Sequence, residues 1–234
     1  KLDPERLDRA FKELIKRHES LRTSFEQDES GEPVQRIHDV VPFTLQTAVF
    51  GEQTEQEATA AFIQPFDLSQ APLFRAQIVK VSDERHLLLV DMHHIISDGV
   101  SVNILIREFG ELYNNRILPA LHIQYKDYAV WQEGFKKGDA YQTQEAYWLK
   151  QLEGELPVLY LPADHTRPPV RSFAGDKVSF TLDQEAASGL HKLARENGST
   201  LYMVLLAAYT ALLSRLSGQE DIIVGSPIAG RPHK

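Results

Sequence analysis

Residues 92–101 read MHHIISDGVS, two adjacent histidines followed, four residues past the second, by an aspartate. The residues before them, 86–93, form an apolar run whose LLLV core at 87–90 is apolar on both faces. Such a run predicts a strand at the centre of its sheet. Just downstream, Val102, Leu105, Ile106, Phe109, Leu112 and Tyr113 recur at helical spacing, with Ser97 or Asp98 available as the cap. The motif therefore sits at a strand-to-helix junction of an α/β fold.

Neighbouring side chains on a strand face opposite ways, so only one of His93 and His94 can point into a given cleft. That geometry disfavours joint chelation of a metal, and no HExxH or comparable ligand spacing occurs elsewhere in the chain. Imidazole is suited to taking a proton from an amine near neutral pH, which makes one of the pair a general-base candidate. The plainer reading is a histidine hydrogen-bonded in the core. Asp98 is either a helix cap or a buried carboxylate that needs a cationic partner. Gly99 fits a place where the backbone approaches another group closely or takes a positive φ.

Upstream of the motif, Asp3 and Pro4 can open a helix on which Leu7, Ala10, Phe11, Leu14 and Ile15 form one face. Strand-like pieces follow at 23–26, 34–37 and 43–49, then a helix over 53–63 and a strand over 74–81 paired with 86–93. Downstream, helices are predicted over 124–137 and 141–152. The proline-rich stretch 157–169 cannot be regular helix, and we place a lobe boundary there. Beyond it come a strand over 177–182, an amphipathic helix over 183–195 stopped at Asn197-Gly198, and an apolar helix from Leu201 that reads as buried. Residues 222–229 look strand-like. Tyr125, Asp127 and Trp131 share a helical face, a pattern that serves packing more often than chemistry.

Composition sets the outer limits. With 234 residues, 42% of them apolar, the chain can bury a substantial core. A net charge of −8 repels nucleic acid and anionic membranes on average. There are no cysteines, which excludes disulfides, thiolate chemistry and cysteine-ligated zinc and suits a cytoplasmic location. No signal peptide is visible, and the longest apolar segment, 201–213, is shorter than the roughly 20 residues a membrane helix needs. A start without Met and an uncovered strand-like end suggest a piece of a longer domain.

Four further segments join the motif. RHESLRTSF at 17–25 is similar to an RHExLRTxF block, FDLSQAPLFR at 66–75 to the stretch that precedes a catalytic strand, YKDYAVW at 125–131 to YxDYAxW, and IVGSPIAGR at 223–231 to a hinge segment. With HHxxxDG at 93–99 they resemble, in order, the condensation domains of nonribosomal peptide synthetases. HHxxxDG alone is shared with chloramphenicol acetyltransferase-like enzymes.

The resemblance implies a two-lobed, chloramphenicol acetyltransferase-like α/β fold, with a mixed sheet flanked by helices and here truncated. Residues 1–156 would be the N-terminal lobe with the HHxxxDG site, 157–175 an inter-lobe linker, and 176–234 the incomplete start of the C-terminal lobe. The family's opening motif, latch strands and FVNT-type segment should lie outside these residues, so the isolated chain is expected to show little activity. The implied reaction is amide-bond formation between aminoacyl or peptidyl thioesters. Upstream and downstream peptidyl carrier proteins would present them on phosphopantetheine arms beside an adjoining adenylation domain, with no cofactor or metal bound directly. By the same resemblance His94 is the active-site residue, supported by His93, Asp98 and Gly99. Asp98 is structural, pairing with Arg231, and Arg17 and Arg22 are structural too.

Four other readings belong to the same motif or chain. An epimerization domain shares HHxxxDG but usually follows it with a Trp-Arg pair where this chain has Val102-Asn103. A heterocyclization domain replaces both histidines. From different classes come a non-catalytic carrier-docking module and a free coenzyme A-dependent acyltransferase. The phrase IISDGVS is more like domains that accept an L-configured donor than those that take a D-configured one.

Overall fold

A computed structural model describes residues 2–51, 54–165, 168–170, 172, 175–228 and 230. The chain divides into two compact units, Lys1–Thr143 and Gln144–Lys234.

The first unit opens with α1 (Pro4–Arg17), capped by the Asp3 side chain, which accepts from the Arg6 N–H. Its buried face is the one the periodicity predicts: Leu7, Ala10, Phe11, Leu14 and Ile15. Burying each of the four large side chains contributes about 1.5–3 kcal/mol. A short 3₁₀ turn, Glu19–Arg22, leads into β1 (Thr23–Gln27), which pairs antiparallel with β2 (Pro33–Ile37). The connecting turn is held by Asp28, whose Oδ1 accepts from the Ser30 and Glu32 N–H groups, and by Gly31 at φ 84°. The positive φ is the reason for glycine at that position.

A second sheet has the order β3 (Gln46–Val49), β4 (Phe74–Lys80), β5 (His86–Met92). β3 runs parallel to β4 and β5 antiparallel to it, so the sheet is mixed. Helix α2 (Glu55–Phe62), closed by a Thr54–Glu57 capping box, lies between β3 and β4 in sequence. After β5 comes α3 (Gly99–Tyr113), which packs on α1. The core gathers between α1, α3 and β4. Phe11 meets Phe109 at 4.5 Å, Phe74 at 5.6 Å and Phe43 at 5.8 Å between ring centroids. Leu105, Phe109, Leu112 and Tyr113 of the predicted stripe pack against this core, whereas Ile106 is exposed.

Three expectations need correction. β5 is an edge strand among the described residues, not a central one, and Leu88 and Val90 on it are each 43% exposed. Among the described residues β4 alone has partners on both sides, and its alternate residues Phe74, Ala76 and Ile78 are buried. Residues 177–182 and 222–228 are irregular, not strands, with Val178, Phe180 and Ile228 largely exposed. Extended apolar residues need a neighbouring ladder to become a strand, and among the described residues none offers one.

Helices α4 (Tyr125–Lys136) and α5 (Asp139–Gln151) follow, and the division between the units falls within α5. On α4 a ladder of rings runs Tyr125, Tyr128, Trp131, Phe135, with neighbouring centroids 5.4–5.8 Å apart. The second unit packs α6 (Gln184–Glu196) against α7 (Leu201–Ser217). α7 is less buried than its composition predicts: Tyr202, Leu205, Tyr209, Leu212 and Leu216 are exposed, and Leu213 is its buried residue. α6 packs on α7 and leaves those side chains uncovered. No single helix among the described residues is long and apolar enough to cross a membrane.

Candidate active site

β5 delivers the motif and the core anchors it. His93 continues the ladder for one more residue, its N–H donating to the Leu73 carbonyl at 3.0 Å. The chain then turns. The Ile96 N–H returns to the His93 carbonyl at 3.1 Å, the Ser97 hydroxyl donates to the same oxygen at 3.3 Å, and the Ser97 N–H reaches the His94 carbonyl at 3.4 Å. Ile96 is the apolar pin of this turn, buried in the same cluster as Phe11 and Phe74.

The two histidines have different surroundings, because β5 ends at Met92, His93 adds one ladder bond and His94 already lies in the turn. His93 is half-buried; its Nδ1 accepts the Ile95 N–H at 3.0 Å, and its ring meets Phe66 edge to face at 6.2 Å. Nδ1 can accept only as the unprotonated nitrogen, so the hydrogen-bond network assigns the neutral ring proton to Nε2. With Nδ1 committed to the turn, His93 is not placed to share a metal with His94. The His94 side chain is exposed.

Asp98 is the N-cap of α3. Its Oδ1 accepts from the Ser101 N–H at 2.7 Å and from the Ser101 hydroxyl at 2.6 Å. Of the two caps the sequence offered, the structure uses Asp98 and leaves Ser97 to the turn. Gly99 is the first residue of α3, its φ is not positive, and a Cβ built there would meet nothing within 4 Å among the described residues. Among the described residues neither a positive φ nor a close neighbour calls for glycine there. Arg231 lies outside the described residues, and with it the expected pairing to Asp98.

Both arginines of 17–25 are engaged, Arg17 near the far end of α3 and Arg22 beside His38 and Glu19. Arg17 Nε donates to Glu108 Oε2 at 2.9 Å and its Nη1 to the Pro119 carbonyl at 2.6 Å, while His18 Nε2 lies 2.7 Å from the same Glu108 oxygen. Burial pushes the Glu108 carboxyl upward, and the hydrogen bonds and charges of Arg17 and His18 outweigh that and hold it below its ordinary value. Arg22 donates to the His38 carbonyl and lies 3.6 Å from Glu19, which also pairs with Lys126. Glu108 is the residue that sequence reading missed. A glutamate inside an amphipathic stripe gave no signal, and only the basic pair Arg17-His18 could have asked for a buried acid.

Behind the motif is a second set of groups. Arg75 faces Asp91 across the β4–β5 register, with Nε 3.2 Å from Oδ2. Its guanidinium carbon sits 3.7 Å from the centroid of the Phe66 ring.

Comparison with known proteins matches this arrangement. The family model described as "Condensation domain" covers residues 1–234. A plipastatin synthase protein of Bacillus subtilis (strain 168) is 91% identical over 234 residues, all of this chain and 9% of that protein. Tyrocidine synthase 3 of Brevibacillus parabrevis is 55% identical over all of this chain and 4% of that protein. Among solved structures, the complex of the X-domain and OxyB from teicoplanin biosynthesis superposes with a TM-score of 0.78 at 28% identity, covering 93% of this chain and 50% of that one. The chain thus spans a small fraction of its curated relatives and half of the solved chain. With the mixed α/β fold, the HHxxxDG turn and a family match along its whole length, the chain belongs to the condensation-domain family.

Proposed function

We propose that this domain forms an amide bond between two carrier-bound thioesters in nonribosomal peptide synthesis, with His94 positioning or deprotonating the attacking amine. The donor would be an aminoacyl or peptidyl thioester on an upstream carrier protein. The acceptor would be an aminoacyl thioester on a downstream carrier, with an adenylation domain adjoining. The amine attacks the donor carbonyl, the amine proton passes to His94, the sulfur of the upstream phosphopantetheine arm leaves as thiolate and takes that proton from His94 to become the thiol, and the chain is then one residue longer on the downstream arm.

The observation that carries this reading is the contrast between the two imidazoles. His93 is tied into the turn by its Nδ1, and the next residue presents an exposed ring. A thioester is already activated, so alignment of amine and carbonyl supplies a large part of the acceleration and a positioned base adds about 10²- to 10⁴-fold. Asp98, Arg17 and Arg22 act in this reading as structural groups, Asp98 at the start of α3 and Arg17 near its end.

The test is single-turnover condensation in a synthetase that carries this sequence, with both carriers loaded. His94→Ala is expected to lower the rate by about 10²-fold or more while both carriers still bind. A folded His94→Ala protein that condenses at the normal rate removes His94 from the reaction.

A further inference from the structure

We propose that Phe66 and Arg75 are positioning residues that fix the His93 ring and, through it, the turn that presents His94. The proposal rests on the reading of His94 given above.

The parts form a chain of contacts from one strand register to the motif. Arg75 on β4 and Asp91 on β5 are directly opposed, which sets the guanidinium at the sheet surface, 3.2 Å from the carboxylate. Its Nη2 donates to the Gln64 carbonyl at 2.6 Å, and its plane covers Phe66 at 3.7 Å. Segment 64–66 is therefore clamped to the sheet through its backbone at one point and its ring at another. The ring edge contact with His93, 6.2 Å between centroids and 88° between planes, is the geometry that aromatic pairs prefer.

His93 needs such a wall. Its Nδ1 bond to the Ile95 N–H exists only in one ring orientation and in the Nε2–H tautomer. A half-turn of the ring about the Cβ–Cγ bond would break it, and the Ile95 N–H would then lose its partner just where the chain must turn. Phe66 stands where it limits that rotation, and Arg75 limits the movement of Phe66. Lys at 75 would supply the charge that faces Asp91 but not a flat cation over Phe66 together with the Nη2 donor to the Gln64 carbonyl.

Two readouts test this. In long-range proton–nitrogen spectra of the imidazoles, taken in mildly alkaline solution on the 234-residue chain, His93 is expected as a single Nε2–H tautomer. Phe66→Leu and Arg75→Lys should each turn it into an averaged pattern, while the core substitution Ile78→Val leaves it unchanged. In the synthetase, Phe66→Leu and Arg75→Lys should lower the condensation rate about 10- to 100-fold with the half-saturating concentration of loaded acceptor carrier unaltered. A His93 signal that reports Nδ1–H in the unaltered protein, or that stays a single Nε2–H tautomer in folded Phe66→Leu, overturns the proposal. Because the spectra need no turnover, they stand apart from the His94 reading, which fails instead if His94→Ala retains its activity.

Discussion

Asp98 does the work of two groups at the start of α3, since one carboxylate oxygen takes both the N–H and the hydroxyl of Ser101. An N-cap of this kind is worth about 1–2 kcal/mol, and the negative charge at a helix N-terminus adds a few tenths. Asp98→Ala is expected to lower stability by about that amount, read as a drop in Tm or denaturation midpoint, and Asp98→Asn to recover most of the capping part. Whatever Asn fails to recover measures the charge. An alanine variant as stable as the parent would show that the cap contributes nothing. The capping role was readable from the spacing of Asp98 to the apolar stripe, because caps are local. The environment of Gly99 was not: whether a glycine is required depends on what lies across from its missing Cβ, which one strand and one helix cannot specify.

At the scale of elements, the join between α1 and α3 is made by apolar contacts in the middle and by charge at one end. Glu108 is nearly buried and takes hydrogen bonds from Arg17 and His18, which favour its anion over the neutral acid. Its folded pKa lies below the ordinary 4.5. A depressed acid contributes stability that is present above 4.5 and is lost as the pH falls through the lower folded value. Glu108→Gln should therefore cost about 1.5–3 kcal/mol near neutral pH, the range for hydrogen bonds to charged groups, and flatten the fall in stability below pH 4.5. Parallel acid denaturation curves for parent and variant would exclude it. Sequence pattern predicted both helices and most of their apolar faces, since periodicity of 3.6 is a local property. It could not see that a residue 91 positions from Arg17 turns inward to meet it. The same limit explains β5. Its LLLV run carries the propensity of a central strand, but strand order is set by which chains lie alongside, and here β4 has the two neighbours.

Across the whole molecule, regular structure is unevenly distributed. Between the end of α5 at Gln151 and the start of α6 at Gln184, no helix or strand occurs among the described residues. The prolines of 157–169 announced this, because each removes a donor and fixes φ. Residues 158–160 of the stretch are held. Gln219, just past α7, donates its Nε2 to the Val158 carbonyl and accepts the Tyr160 N–H on its Oε1, both at 2.9 Å. A protease needs an extended, accessible backbone, which the stapled residues offer less than those after them. Brief digestion is therefore expected to cut first within 175–182, where Val178 and Phe180 are 90% and 82% exposed, and to spare the helices and strands of 4–143. Gln219→Ala removes both hydrogen bonds, worth about 1 kcal/mol together at an exposed site. That opens 158–160 about five-fold more often and raises cutting there in proportion, provided reclosure is faster than cleavage. Mass spectrometry of the first fragments reads both outcomes. First cuts inside 4–143, or a Gln219→Ala pattern identical to the parent's, would mean that the order of this region comes from something other than a single glutamine.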